Sequence, residues 1–180
     1  MEKILAPDPF LKGGFSSAKP TDTSAKSLRF IQKNYNTKTK VLATGGFDYL
    51  HEGHLNFLKQ AKAEGDYLVV IVATDKSIKE IKGLSPENSQ DQRAEALVKT
   101  GIPDKVLVGD PHDKLKKVLE EKPDLICLGY DQKIDEKKLQ NLLEERGLKT
   151  KIKRLKAFNP EKYKSSILQR KKQIEQKDIL

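Results

Sequence analysis

The segment Thr44-Gly-Gly-Phe-Asp-Tyr-Leu-His-Glu-Gly-His54 gathers residue types that can hold a phosphate group. Gly45 and Gly46 lack a Cβ and let the backbone come close to an anion. A helix starting near Gly53 and His54 would add its unpaired N–H groups and the positive end of its dipole, both of which favour phosphate. His51 and His54 stand three residues apart at that helix start, so both imidazoles face one side and can donate to the same anion. Two other readings of the pair stay open: capping and packing of the helix, or half of a metal site. The helical zinc motif is His-Glu-x-x-His, which His51-Glu-Gly-His54 is not, and the remaining histidine, His112, lies far along the chain.

Such a turn needs a strand to deliver it. From about Lys40 onward, short β-branched apolar runs at 40–44, 67–73, 105–108, 125–129 and 151–155 alternate with stretches of helical period at 53–64, 89–100, 112–121 and 135–146, with a last helix starting near Ser165. Leu55, Leu58 and Ala61 form one buried stripe, and Leu139, Leu142 and Leu143 another. Gly65 and Gly147 stand where helices should stop, and Asp135 is a plausible N-cap. The alternation predicts an α/β fold, a Rossmann-like, doubly wound five-stranded parallel sheet with helices on both faces. Ligands of such sheets bind at the C-terminal ends of the strands, which is where residues 44–54 fall.

The chain has 180 residues, 36% hydrophobic and 34% charged, which suits one domain with a single core under a highly charged surface. Residues 39–180 are expected to form it. Residues 1–38, rich in Ser, Thr, Lys, Pro and Gly, read as a partly flexible N-terminal extension with one amphipathic helix bearing Leu28, Ile31 and Tyr35. No apolar run approaches the roughly 20 residues of a membrane span, and the first ten residues lack the apolar stretch of a secretory signal, so a cytoplasmic location is expected. The lone Cys127, within Leu125-Ile-Cys-Leu128, is expected to be buried packing and excludes an internal disulfide or a multi-cysteine zinc site. Net charge is +9, and residues 149–180 hold eleven Lys and Arg against three Asp and Glu. Such a basic C-terminal helix attracts polyanions, whether nucleic acid, a membrane surface or a di- or triphosphate; beyond Arg170 it also reads as a solvated tail.

The 44–54 segment resembles the Gly-Thr-Phe-Asp-x-x-His-x-Gly-His signature of the cytidylyltransferase-like family, departing once with Gly46 where Thr is usual. A backbone contact would survive that change. The resemblance extends over roughly 40–170. Leu128-Gly-Tyr-Asp-Gln132 is similar to a segment of archaeal-type FAD synthases, whereas glycerol-phosphate cytidylyltransferases more often carry Gly-Asp-Asp there. Tyr163-Lys-Ser-Ser-Ile-Leu168 resembles the turn that opens the family's last helix and holds the triphosphate. Lys82-Gly83 and Asp91-Gln-Arg93 fall where the family places a mobile lysine and an arginine-bearing helix.

The resemblance implies attack by an acceptor's phosphate oxygen on the α-phosphorus of a nucleoside triphosphate, with His51, His54 and Lys82 as catalytic residues. It implies nucleotide contact by Gly45, Gly46, Phe47, Glu52, Gly53, Gly129, Asp131, Tyr163, Ser165 and Ser166. Mg²⁺ would arrive on the triphosphate, without a dedicated carboxylate cage. ATP or CTP is the expected donor and FMN the favoured acceptor; glycerol phosphate or an amino-alcohol phosphate is the alternative, and a homodimer is implied. Plain readings remain beside these: Asp131 as a helix cap, Ser165 as an N-cap, Lys82 as a surface lysine in a loop spanning 79–90, and Arg93 as a structural ion-pair partner. A non-catalytic basic nucleic-acid-binding protein is the distant third, disfavoured because only Phe158 and Tyr163 in the tail region could stack on bases.

Overall fold

A computed structural model describes residues 38–163. There, β1 (Lys40–Gly45) leads through α1 (Glu52–Ala63), β2 (Tyr67–Val72), α2 (Asp75–Lys82) and α3 (Gln90–Lys99) to β3 (Lys105–Val108). The chain then runs through α4 (Lys116–Glu121), β4 (Leu125–Leu128) and α5 (Glu136–Glu145) to β5 (Lys151–Arg154). The strands form one five-stranded sheet in the order β3-β2-β1-β4-β5, every pair parallel. The expected doubly wound sheet is present, and its switch point lies between β1 and β4.

Strand alternation sorts the core into two layers. Val41 and Ala43 of β1, with Leu68, Val70 and Val72 of β2, meet Leu58 and Ala61 of α1 and Ala94 and Leu97 of α3. Leu42, with Tyr67, Val69 and Ile71, faces the other way onto Val118 of α4 and Leu143 of α5. β2 is buried at every residue, which suits its unbroken apolar sequence. Cys127 packs in the first layer, and burial pushes its thiol up to about 11, as packing rather than chemistry requires.

Carboxylates secure the strand entries. Asp66 accepts from the Thr39 N–H and Asp124 from the Lys40 N–H, each at 2.8 Å. Buried Glu121 sits between the ammonium groups of Lys40 and Lys105, at 3.4 and 2.8 Å. These ties leave the opposite end of the sheet for the 44–54 turn.

Two expectations are corrected. The 79–90 stretch is not all loop: α2 runs to Lys82, so that lysine ends a helix. Thr74 caps α2 by accepting the Ser77 N–H at 3.1 Å, and Gly83 ends it in the left-handed conformation at φ 75°. Only Ser77 and Ile78 of α2 are buried, and its two apolar residues, Ile78 and Ile81, make a repeat too short to mark a helix in the sequence. The helix expected over 112–121 starts at Lys116, because Asp110 takes the N–H groups of His112 and Asp113 into a turn instead. The helix bearing Leu28, Ile31 and Tyr35, and the one starting near Ser165, lie outside the described residues. Among those described, no helix is long and apolar enough to cross a membrane.

Candidate active site

The turn after β1 is held in a conformation that few sequences accept. Phe47 and Tyr49 lie at φ 53° and 51°, left-handed values that cost about 1 kcal/mol or more each for residues with side chains. The surroundings enforce them. The Phe47 ring is buried directly over Gly45, where an added Cβ would come within 2.9 Å of it. Asp48 is also buried and accepts the N–H groups of Glu87 and Asn88 at 3.0 and 3.2 Å, with the Asn88 amide at 2.9 Å. Burial would raise its carboxyl, but these donors and the Arg93 charge outweigh it and hold Asp48 below the usual carboxylate range. Gly46 lies against α2, since a Cβ there would stand 3.3 Å from the Ile78 Cδ1.

Helix α1 starts where the turn ends. His51 is its N-cap, and its Nδ1 accepts the His54 N–H at 3.4 Å. That bond leaves the Nε2 of a neutral His51 as the protonated nitrogen. The two imidazoles stack with centroids 3.9 Å apart, and Phe47 meets His54 edge-on at 5.4 Å. Burial, then the charges of His51 and Lys82, lower His54 to about 3, so its ring is neutral at ordinary pH. The Nδ1 of His54 is buried without a hydrogen-bond partner among the described residues. Gly53 is required for room: a Cβ would stand 2.9 Å from the His51 ring and 3.0 Å from the Tyr163 carbonyl oxygen.

An open cleft begins at these histidines and lies along the C-terminal ends of β1, β4 and β5. One wall is aromatic. Phe158 stacks on Tyr163 at 5.9 Å, and Tyr163 on His51 at 6.4 Å. The other wall is the loop after β4, with Gly129, Tyr130 and Asp131. That loop is fastened by Arg154 of β5, which donates to the carbonyls of Gly129, Gln132 and Ile134 and to Glu136, all within 2.8–2.9 Å. The Gln132 amide joins it to β1 through the Thr44 carbonyl at 2.6 Å.

His51, Gly53, His54, Gly129, Asp131 and Tyr163 thus share one cleft, with Gly45, Gly46 and Phe47 in the turn beneath. Glu52 is exposed on the first turn of α1 and does not line the cleft. Lys82 does not line it either, though its charge reaches His54. Arg93 is 1% exposed and spent on internal partners, the structural alternative. Ser165 and Ser166 lie outside the described residues. Phe57, Tyr130, Lys156 and Phe158 complete the lining without having been expected there. Lys156 and Phe158 could have been found, because they follow the C-terminal end of a parallel strand.

Paired neutral imidazoles at a helix N-terminus, beside an aromatic-walled slot at the switch point of the sheet, can hold a polyphosphate and a planar base together. A model of the cytidylyltransferase-like family matches residues 42–171. The chain belongs to the cytidylyltransferase-like family. It is a nucleotidyltransferase. This cytidylyltransferase-like chain is 46% identical to an FAD synthase of Archaeoglobus profundus over 128 residues, 71% of the chain and 81% of that relative. It is 40% identical to an FAD synthase of Thermococcus sibiricus over 139 residues, 77% and 91% of the two chains. Among solved structures, a lipopolysaccharide core biosynthesis protein from Thermoplasma volcanium is 40% identical with a TM-score of 0.65, covering 68% of this chain and all of that one.

Proposed function

We infer that this nucleotidyltransferase is an FMN adenylyltransferase, joining the adenylyl group of ATP to FMN to give FAD and pyrophosphate. The observation that carries the reading is the slot running from the His51–His54 pair to Phe158, which suits a nucleoside triphosphate laid with its phosphates on α1 and its base against the aromatic wall. The FAD synthase relatives favour a flavin acceptor over glycerol phosphate.

An FMN phosphate oxygen attacks the α-phosphorus of ATP; the P–O bond to the β-phosphate breaks, and its electrons leave with pyrophosphate. The nucleophile is ionised near neutral pH and needs no strong base, so catalysis rests on alignment and on stabilising spread charge. His51 donates through Nε2–H. His54, neutral and with its Nδ1 buried, donates through Nε2–H to the α-phosphate as negative charge shifts. The N–H groups of the 46–47 turn and the Lys82 ammonium add positive potential. Tyr163 lies at the α1 N-terminus, and Ser165 and Ser166 follow two and three residues on, a placement that supports their role at the triphosphate. Mg²⁺ suits this donor set as a phosphate complex, since Asp131 offers a carboxylate on the cleft while Asp48 is committed to three N–H donors. Bound there, it would neutralise charge on the phosphates. We place the activity in residues 39–180, in a cytoplasmic homodimer.

The test is product analysis by mass. The full chain with Mg²⁺ is given FMN or glycerol phosphate, each with ATP or CTP. FAD from FMN and ATP is the expected product. A cytidylyl product from glycerol phosphate, with no FAD, would overturn the reading.

A further inference from the structure

Two apolar side chains stand out on the surface. Ile81 is 71% exposed and Leu84 73%, whereas the other exposed large apolar residues among those described are at most 40% exposed. Both belong to one short arch, and both ends of that arch are fixed to the site. At one end, Ile78 of α2 lies against Gly46. Ile81 and Lys82 follow Ile78 by three and four residues, so they stand one turn further along the same flank of the helix. At the other end, the Glu87 and Asn88 N–H groups are held by the Asp48 carboxylate. Lys82 lies between the two apolar residues, and its charge reaches the His54 ring. The base slot extends the other way from His54, toward β4 and β5.

We propose that Ile81 and Leu84 form the docking surface for the acceptor's planar ring, with Lys82 between them taking the acceptor's phosphate and turning it toward His54. The assignment rests on the FMN reading above. A phosphomonoester carrying a large apolar ring matches both properties of the arch: cationic charge at its centre for the phosphate dianion and exposed aliphatic surface around it for the ring. The nucleotide then occupies the β4–β5 side of His54 and the acceptor the β2 side, so the two phosphates meet over α1. An acceptor without a ring would leave Ile81 and Leu84 in water, and the arch therefore selects for ring-bearing acceptors.

The experiment compares the full-length protein with its double variant Ile81→Ser, Leu84→Ser, measuring KM for FMN and for ATP separately, with sedimentation velocity on both. The expected result is KM for FMN raised roughly ten-fold while KM for ATP stays within about two-fold. Unchanged KM for FMN in a pair of proteins that both make FAD would overturn this inference and leave the proposed function standing. A parallel rise in both constants would overturn it too, as would a change from dimer to monomer, which would make the arch a contact between copies. If the unaltered protein makes no FAD, the proposed function fails first and this assignment falls with it.

Discussion

The guanidinium of Arg93 donates to the carbonyl oxygen of Gly46, joining α3 to the turn that follows β1. The same group reaches the Asn88 carbonyl at 3.0 Å, the Ala73 carbonyl at 2.8 Å and the Asp75 carboxylate at 2.6 Å. One buried cation thus fixes the ends of β1 and β2, the start of α2 and the loop that holds Asp48.

Arg93→Ala leaves these acceptors without their donor and is expected to destabilise the fold by about 3 kcal/mol, read by urea denaturation. Arg93→Lys should recover little, because a single ammonium cannot match a planar fork with four acceptors around it. Activity is expected to fall with both variants.

His54→Ala should release pyrophosphate about 10²–10³-fold more slowly than the unaltered protein while keeping its circular dichroism spectrum. Full turnover in the purified variant would remove His54 from the mechanism.

The same residue shapes the pH dependence of stability. An unfolded His54 takes up a proton near its ordinary value of 6.5, whereas in the fold burial withholds it until about 3. Lowering the pH from 7 to 5 therefore favours unfolding, by up to about 1.4 kcal/mol per pH unit once below 6.5. His51, lowered chiefly by burial, adds in the same direction. Thermal melts across this range should show a steeper loss for the unaltered protein than for His54→Ala.

Gly53→Ala separates position from stability. Alanine is the better helix former by roughly 0.5–1 kcal/mol, which offsets part of the strain of its Cβ against the Tyr163 carbonyl, so the melting temperature should fall by no more than a few degrees. Its Cβ, however, would stand 2.9 Å from the His51 imidazole and displace that ring. A fall in kcat of about a hundred-fold is expected, since small displacements of aligned groups are costly. Unchanged kinetics would mean that the placement of His51 is unimportant.

Phe158→Ala removes the outer ring of the aromatic wall. Phe158 is 36% exposed, so the fold should be little affected. If the base lies on this wall as proposed, losing one ring should raise KM for ATP roughly ten-fold, with KM for FMN unmoved.

By itself the sequence determined the succession of strands and helices along the chain and the pairing of His51 with His54. Both follow from local rules: period-two and helical apolar patterns, glycines at a strand end, and two histidines one helical turn apart. The element types held at nine of the ten positions described, and α2 escaped because a short helix with little buried apolar surface is shaped by its caps instead. What only the tertiary structure decided lies between distant segments. Asp48 was a motif residue without a role until folding set it beneath the Glu87 and Asn88 amides, about forty positions away. Arg154 and Gln132 brace the β4 loop, and Phe158 completes the slot, because parallel pairing brings the ends of β1, β4 and β5 to one edge. Burial likewise decided that His54 is neutral, since desolvation depends on the neighbours that folding gathers around a ring and not on the residue's place in the chain.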